Sequence, residues 1–83
     1  MQWTYVRSSR TLHIRGTGAM PDFQEGKDTP WKGRDITRVV IHEGVETIGA
    51  RAFDGLSGLR EVSLPSTLLS IGEDAFRGCP VRV

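Results

Sequence analysis

Residues 36–58, ITRVVIHEGVETIGARAFDGLSG, are followed without a gap by 59–81, LREVSLPSTLLSIGEDAFRGCPV, and the two stretches align along their whole length. Val39/Val62, Ile48/Ile71, Gly49/Gly72, Ala52/Ala75, Phe53/Phe76 and Gly55/Gly78 are identical pairs. Ile36/Leu59, Ile41/Leu64, Val45/Leu68 and Leu56/Cys79 stay apolar while changing identity, and the positions between them exchange Arg, Glu, Asp, Ser and Pro. What recurs is therefore an interior. Each unit carries about eight inward apolar residues, too few to enclose a core alone, so consecutive units must bury their faces on one another, as in repeat architectures.

Within a unit, alternation places Val39 and Ile41, then Val62 and Leu64, on the buried side of a strand. A turn (HEG, PST) leads to a second extended piece, Val45–Ile48 or Leu68–Ile71. It ends at a glycine suited to positive φ or to close approach of two backbones. ARAF and EDAF are expected to form a single turn of helix, with Ala tight under the neighbouring unit and Phe in the middle. Gly55 and Gly78 close the units.

Upstream, 1–15 alternates as two short strands, Gln2–Arg7 and Thr11–Arg15, joined at SSR as a hairpin. LHIRG (12–16) resembles VVIHEG (39–44), so Leu12 is expected over Val39 and Ile14 over Ile41. The stretch 16–35, rich in Gly, Pro and Asp, reads as a loop anchored by Met20, Phe23 and Trp31. The expected organisation is one structural domain: a hairpin-and-loop cap over 1–35, repeats at 36–58 and 59–81, and a partial third rung at 81–83.

The pattern L..V.LP..L.SIG..AF.GC resembles the leucine-rich repeat of the bacterial surface-antigen (BspA-like) type, and LHIRGTGAMPDF…TPW (12–31) is similar to the leader that often precedes such repeats. The resemblance covers nearly the whole chain. It implies a curved solenoid with a parallel sheet on its concave side and a role in adhesion to host proteins or other cells, hence a secreted or cell-surface location, and it carries no catalytic residue. The fold class expected is mainly β with short helical turns: a leucine-rich-repeat solenoid of about 23-residue coils behind an N-terminal hairpin and loop cap.

Chemistry is sparse. The net charge of +1 shows no basic footprint for nucleic acid, with six basic and four acidic groups in 1–35 against five and six in 36–83. No apolar stretch approaches a membrane span, so no membrane insertion is expected. The single cysteine, Cys79, has no internal disulfide partner and reads as a small corner hydrophobe rather than a nucleophile. His13 and His42 fall on the outward side of adjacent rungs as diagonal neighbours, and are read as two solvated histidines rather than a metal pair. GTGAMPDFQEG lacks the Gly-Lys-Ser/Thr ending of a phosphate loop. Glu43, Glu46, Glu73 and Asp74 sit at non-apolar repeat positions, so a solvated face accounts for them. No enzyme, cofactor or metal is expected.

The remaining candidate for function is the outward strand face: Thr11, His13 and Arg15, then Arg38, Val40 and His42, then Glu61 and Ser63. These line up as columns Thr11–Arg38–Glu61 and His13–Val40–Ser63, a face for an unknown protein partner. The loop tip Gln24–Lys32 around Trp31 is a second candidate. At the far end Leu64, Ile71 and Phe76 are expected to have no further coil to pack on, and Val81, Arg82 and Val83 form an edge available for self-association, a homodimer being one outcome. The alternative reading is thus a structural capping or self-assembly unit of a longer repeat array.

Overall fold

The computed structural model describes residues 2–22 and 29–80. It contains β1 (Gln2–Val6), β2 (Thr11–Arg15), β3 (Gly18–Ala19), β4 (Arg38–Ile41), β5 (Val45–Ile48), β6 (Glu61–Ser63) and β7 (Ser70–Ile71). They form two sheets, ordered β1-β2-β4-β6 and β3-β5-β7. β1 and β2 are an antiparallel hairpin, and every other pairing is parallel.

The register follows the repeat. Leu12 pairs with Val39 and Ile14 with Ile41, as the likeness of LHIRG to VVIHEG predicts. Arg38, Val39 and Val40 then pair with Glu61, Val62 and Ser63, each offset by one unit. A slip of one residue would carry every apolar side chain to the wet face, so the alternating pattern fixes this register. In the second sheet Thr47 pairs with Ser70 and Ile48 with Ile71.

One cluster joins both sheets: Leu12, Ile14, Val39, Ile41, Val45, Ile48 and Leu59 are all buried, with Ala52 and Phe53 from the turn beside them. Aromatic rings run through it in a row. Trp31 stacks on Phe53 at 5.7 Å, Phe53 on Phe76 at 5.3 Å, and Trp3 meets Trp31 edge-on at 6.1 Å. The Trp31 indole N–H donates to the Ala52 carbonyl at 2.9 Å, which satisfies the polar end of a ring that is otherwise buried.

Two expectations need correction. The segment 16–35 is not all loop, because Gly18–Ala19 forms β3 against Val45 and Thr47 and so brings the upstream region into the second sheet. The ARAF and EDAF segments are not helical: the described residues contain no helix. Arg51 and Asp74, equivalent in the repeat, have φ of 59° and 58°, which a right-handed helix cannot accommodate. Their amides alternate instead. Ala52, Asp54 and Leu56 bond back to Gly49, Arg51 and Phe53, whereas Arg51, Phe53 and Gly55 donate across to the carbonyls of Glu73, Ala75 and Arg77. A helix would use all of these amides within its own turn; here half of them tie one unit to the next.

Gly49 and Gly72 answer the question posed by the IG motif. Neither has positive φ; a Cβ at Gly49 would collide with the Pro21 carbonyl, and one at Gly72 with the Ala50 backbone. Close approach is what both positions require. Of the anchors expected in 16–35, Met20 and Trp31 are buried, and Phe23 lies outside the described residues.

Equivalent positions differ between units in an informative way. Ile41 and Ile48 are 2% and 1% exposed, while their counterparts Leu64 and Ile71 are 38% and 42% exposed. What buries the first pair is the second unit.

Candidate functional site

The wet face of the first sheet is built from the residues that alternate with its core. β1 contributes Thr4 opposite His13 and Val6 opposite Thr11; β4 places Arg38 beside Thr11 and Val40 beside His13; β6 adds Glu61 and Ser63. Arg15, Arg38, Glu61 and Ser63 are exposed, and His13, Val40 and His42 are half-buried. Thr11 differs. It is only 5% exposed and its hydroxyl donates to the Ser9 carbonyl at 3.2 Å, so its side chain belongs to the hairpin turn and offers no surface to a partner.

Arg38 and Glu61 form the expected cross-strand ion pair at 3.0 Å, with side chains 53% and 64% exposed. At that exposure the pair contributes about 0.2–1 kcal/mol, and its main effect is to hold two charges in a fixed arrangement.

His13 and His42 are brought together. Their Cα atoms are diagonal in the ladder, His13 lying opposite Val40, yet His13 Nδ1 and His42 Nε2 are 2.9 Å apart. Diagonal neighbours on a sheet are within reach of aromatic side chains, which the reading of two separate solvated histidines overlooked. The ring centroids are 5.2 Å apart with 30° between planes. The gap between nitrogens leaves only a ring's radius on each side, so this is an edge-on N–H···N hydrogen bond rather than face stacking. One nitrogen carries the proton and the other accepts it. Desolvation, then the charge of Arg15, then His13 itself lower the pKa of His42 from its ordinary value, favouring the neutral ring that this bond needs. The backbone fixes the geometry, the His42 amide donating to the Ile14 carbonyl at 2.9 Å.

Elsewhere the chemistry is structural. The Cys79 thiol donates to the Phe53 carbonyl at 3.0 Å, and burial raises its pKa, both of which keep it protonated. Glu43 accepts from the Ser66 amide and hydroxyl at 2.9 and 2.8 Å, joining the turns of adjacent units. A cavity of about 170 Å³ between β1 and the 20–31 region is lined by Gln2, Trp3, Ile14, Met20, Pro21, Pro30 and Trp31. None of these titrates, so the cavity offers no acid–base chemistry. Among the described residues no three His, Cys, Asp or Glu side chains converge, and no helix is long and apolar enough to cross a membrane.

Other sequence candidates fall differently. In the loop-tip candidate Gln24–Lys32, Trp31 is a buried anchor and offers no surface, and Gln24–Asp28 lie outside the described residues, as do Val81, Arg82 and Val83.

Parallel rungs in register at the repeat spacing, one inward Phe per turn, stacked on its counterpart, and cross-unit turn bonds make the repeat the structural unit. Residues 27–82 match the family model described as "BspA type Leucine rich repeat region (6 copies)". The chain belongs to the BspA-type leucine-rich repeat family. A leucine-rich repeat protein of known crystal structure from Eubacterium ventriosum is similar over 98% of this chain, at 34% identity and a TM-score of 0.88. The chain spans 22% of that protein's length. No curated protein matches significantly. Leucine-rich repeats generally mediate protein interactions, and the BspA type is typically surface-located or secreted in bacteria.

Within this family frame, the sequence signal that would have found the histidine contact is the placement of two rings one step apart on adjacent outward rows. Counting only directly opposed residues hides it.

Proposed function

We propose that this BspA-type segment is a non-catalytic protein-binding module of adhesion type, acting at the cell surface or after secretion, and that its outward strand face receives the partner. The observation that carries the reading is the contrast between the two sides of the first sheet. In its repeated strands identity is confined to the inward pair Val39/Val62, whereas the outward rows of β2, β4 and β6 present Arg15, His13–His42, Val40, Arg38–Glu61 and Ser63 in a fixed array. Repeat architectures use such surfaces for recognition. In this reading 1–35 is a cap, 36–58 and 59–81 are coils of a solenoid, and Val81–Val83 begin a third rung.

A photo-crosslinking residue at Val40, compared with one at Ser57 in the turn region, tests the face. Capture of the same protein from Val40 and not from Ser57, abolished by Arg38→Glu, supports it. Equal capture from both positions, or capture indifferent to Arg38→Glu, refutes it.

A second reading, a capping and self-assembly unit, draws support from the exposure of Leu64 and Ile71 where Ile41 and Ile48 are covered. A homodimer through Val81, Arg82 and Val83 is its specific form. Sedimentation over a range of concentrations tests it: a dimer dispersed by Val81→Asp supports this reading, and a monomer throughout refutes it.

A further inference from the structure

The outward face carries one arrangement that partner binding does not explain. The chain's only two histidines point ring nitrogens at each other across a strand boundary. His13 lies within β2, His42 is the residue after β4, and the His42 amide is tied to the Ile14 carbonyl. The donor atoms are thus positioned by the sheet rather than by flexible side chains alone.

We infer that His13 and His42 form a two-imidazole chelate for a late first-row divalent ion that favours right-angled ligands, Cu(II) or Ni(II), on this face. The distance argues for the class of ion. Two nitrogens each about 2.0–2.1 Å from a metal are about 2.9 Å apart when they subtend a right angle, and about 3.3–3.4 Å apart in a tetrahedron. The observed 2.9 Å is the length of the hydrogen bond in the metal-free pair, and it coincides with the right-angled value. Square or octahedral coordination needs the rings to turn so that both lone pairs converge, while tetrahedral zinc needs them also to separate by about 0.4 Å. Imidazole suits both ions, and copper binds such ligands more tightly than nickel or zinc.

The exchange is simple. In the metal-free pair one proton lies between Nδ1 of His13 and Nε2 of His42; in the chelate it moves to the far nitrogen of its own ring, and the metal takes its place. From the neighbouring strands the residues paired with this row are Thr4 on β1 and Ser63 on β6, both uncharged, with Val40 between His13 and Ser63. The charge acting on His42 is Arg15, which opposes a cation, while Arg38 is paired with Glu61. Water completes the coordination sphere, so two or more positions remain exchangeable.

Titration of the full chain with Ni(II) alone, which does not oxidise the Cys79 thiol, tests the assignment by calorimetry. The expected result is one ion per chain, released in acid, where protons compete with the metal for the imidazole nitrogens. A second ligand on the same scaffold commonly adds a factor of about 100 or more, so His13→Asn and His42→Asn should each weaken binding by about that factor. Arg15→Gln should strengthen it. Nuclear magnetic resonance of the unsubstituted chain gives a readout independent of variant folding: substoichiometric Ni(II) should broaden both histidine ring signals together and leave the Phe53 ring untouched. Absence of saturable binding, retention of binding in either histidine variant, or broadening of one histidine without the other would overturn the inference.

Discussion

Phe53 is the side chain on which the stacking of units most depends, and its removal gives a number that the geometry constrains. The ring has no exposed surface and lies between Trp31 at 5.7 Å and Phe76 at 5.3 Å, nearly parallel to both. Truncating a buried Phe to Ala costs about 3–5 kcal/mol, combining lost transfer energy with the cavity left behind. For a chain of 83 residues the whole stability is about 4–12 kcal/mol. Phe53→Ala therefore removes a large share of it. Phe53→Leu keeps most of the apolar volume and loses two ring–ring contacts of about 0.5–1.5 kcal/mol each, so it should cost about 1–3 kcal/mol. Phe76→Ala, at a half-buried ring with one described ring partner, should cost less than Phe53→Ala, about 1.5–3 kcal/mol. Urea unfolding followed by tryptophan fluorescence reports all three, because Trp31 lies against Phe53. If Phe76→Ala costs as much as Phe53→Ala, or Phe53→Ala costs under about 1.5 kcal/mol, then the aromatic row does not join the units and the packing argument fails.

Three further outcomes follow from named contacts. Gly72→Ala places a methyl group against the Ala50 backbone, so it should destabilise by about 1–3 kcal/mol in thermal or urea unfolding, the range for overpacking a tight interior. Glu43 is held below its ordinary pKa of 4.5, first by the Ser66 amide and then by the Ser66 hydroxyl; its contribution is present above pH 4.5 and disappears as the pH falls through the lowered folded value. Unfolding measured against pH should show Glu43→Gln less stable than the unsubstituted chain at neutral pH and indistinguishable from it in acid. The Cys79 thiol, raised in pKa and bonded to the Phe53 carbonyl, should react with a thiol reagent at pH 8 several-fold more slowly in the folded chain than in urea.

Much of the inside was legible because the cost of exposing apolar surface enforces it. Val39, Ile48, Ala52 and Phe53 recur at one spacing, and each stands in a position that a polar residue could occupy only at a cost of several kcal/mol. The same reasoning reached the first rung, where Leu12 and Ile14 pair with Val39 and Ile41 although the surrounding sequence has diverged from the repeat. It failed at ARAF and EDAF, where helix-compatible residues suggested a helical turn. The decisive fact there is not propensity but destination: alternate amides are needed by the carbonyls of the next unit, and φ near +59° at Arg51 and +58° at Asp74 turns the chain to supply them. It failed also at Gly18–Ala19, since a two-residue strand has no periodicity to detect.

The outward face was less legible, and for a physical reason. Exposed positions tolerate many residues at nearly equal free energy, so stability leaves no recurring pattern there for the eye to follow. Alternation placed Thr11 on the face, but a hairpin turn covers its side chain and takes its hydroxyl. Register placed His13 opposite Val40, but an imidazole extends beyond its own row and meets His42 on the diagonal. In both cases the backbone assignment was sound and the side chain's reach or cover decided the chemistry. A repeat fold makes this division sharp: the interior is stated twice by the sequence, while each outward residue occurs once, and its meaning depends on which neighbour its side chain can touch.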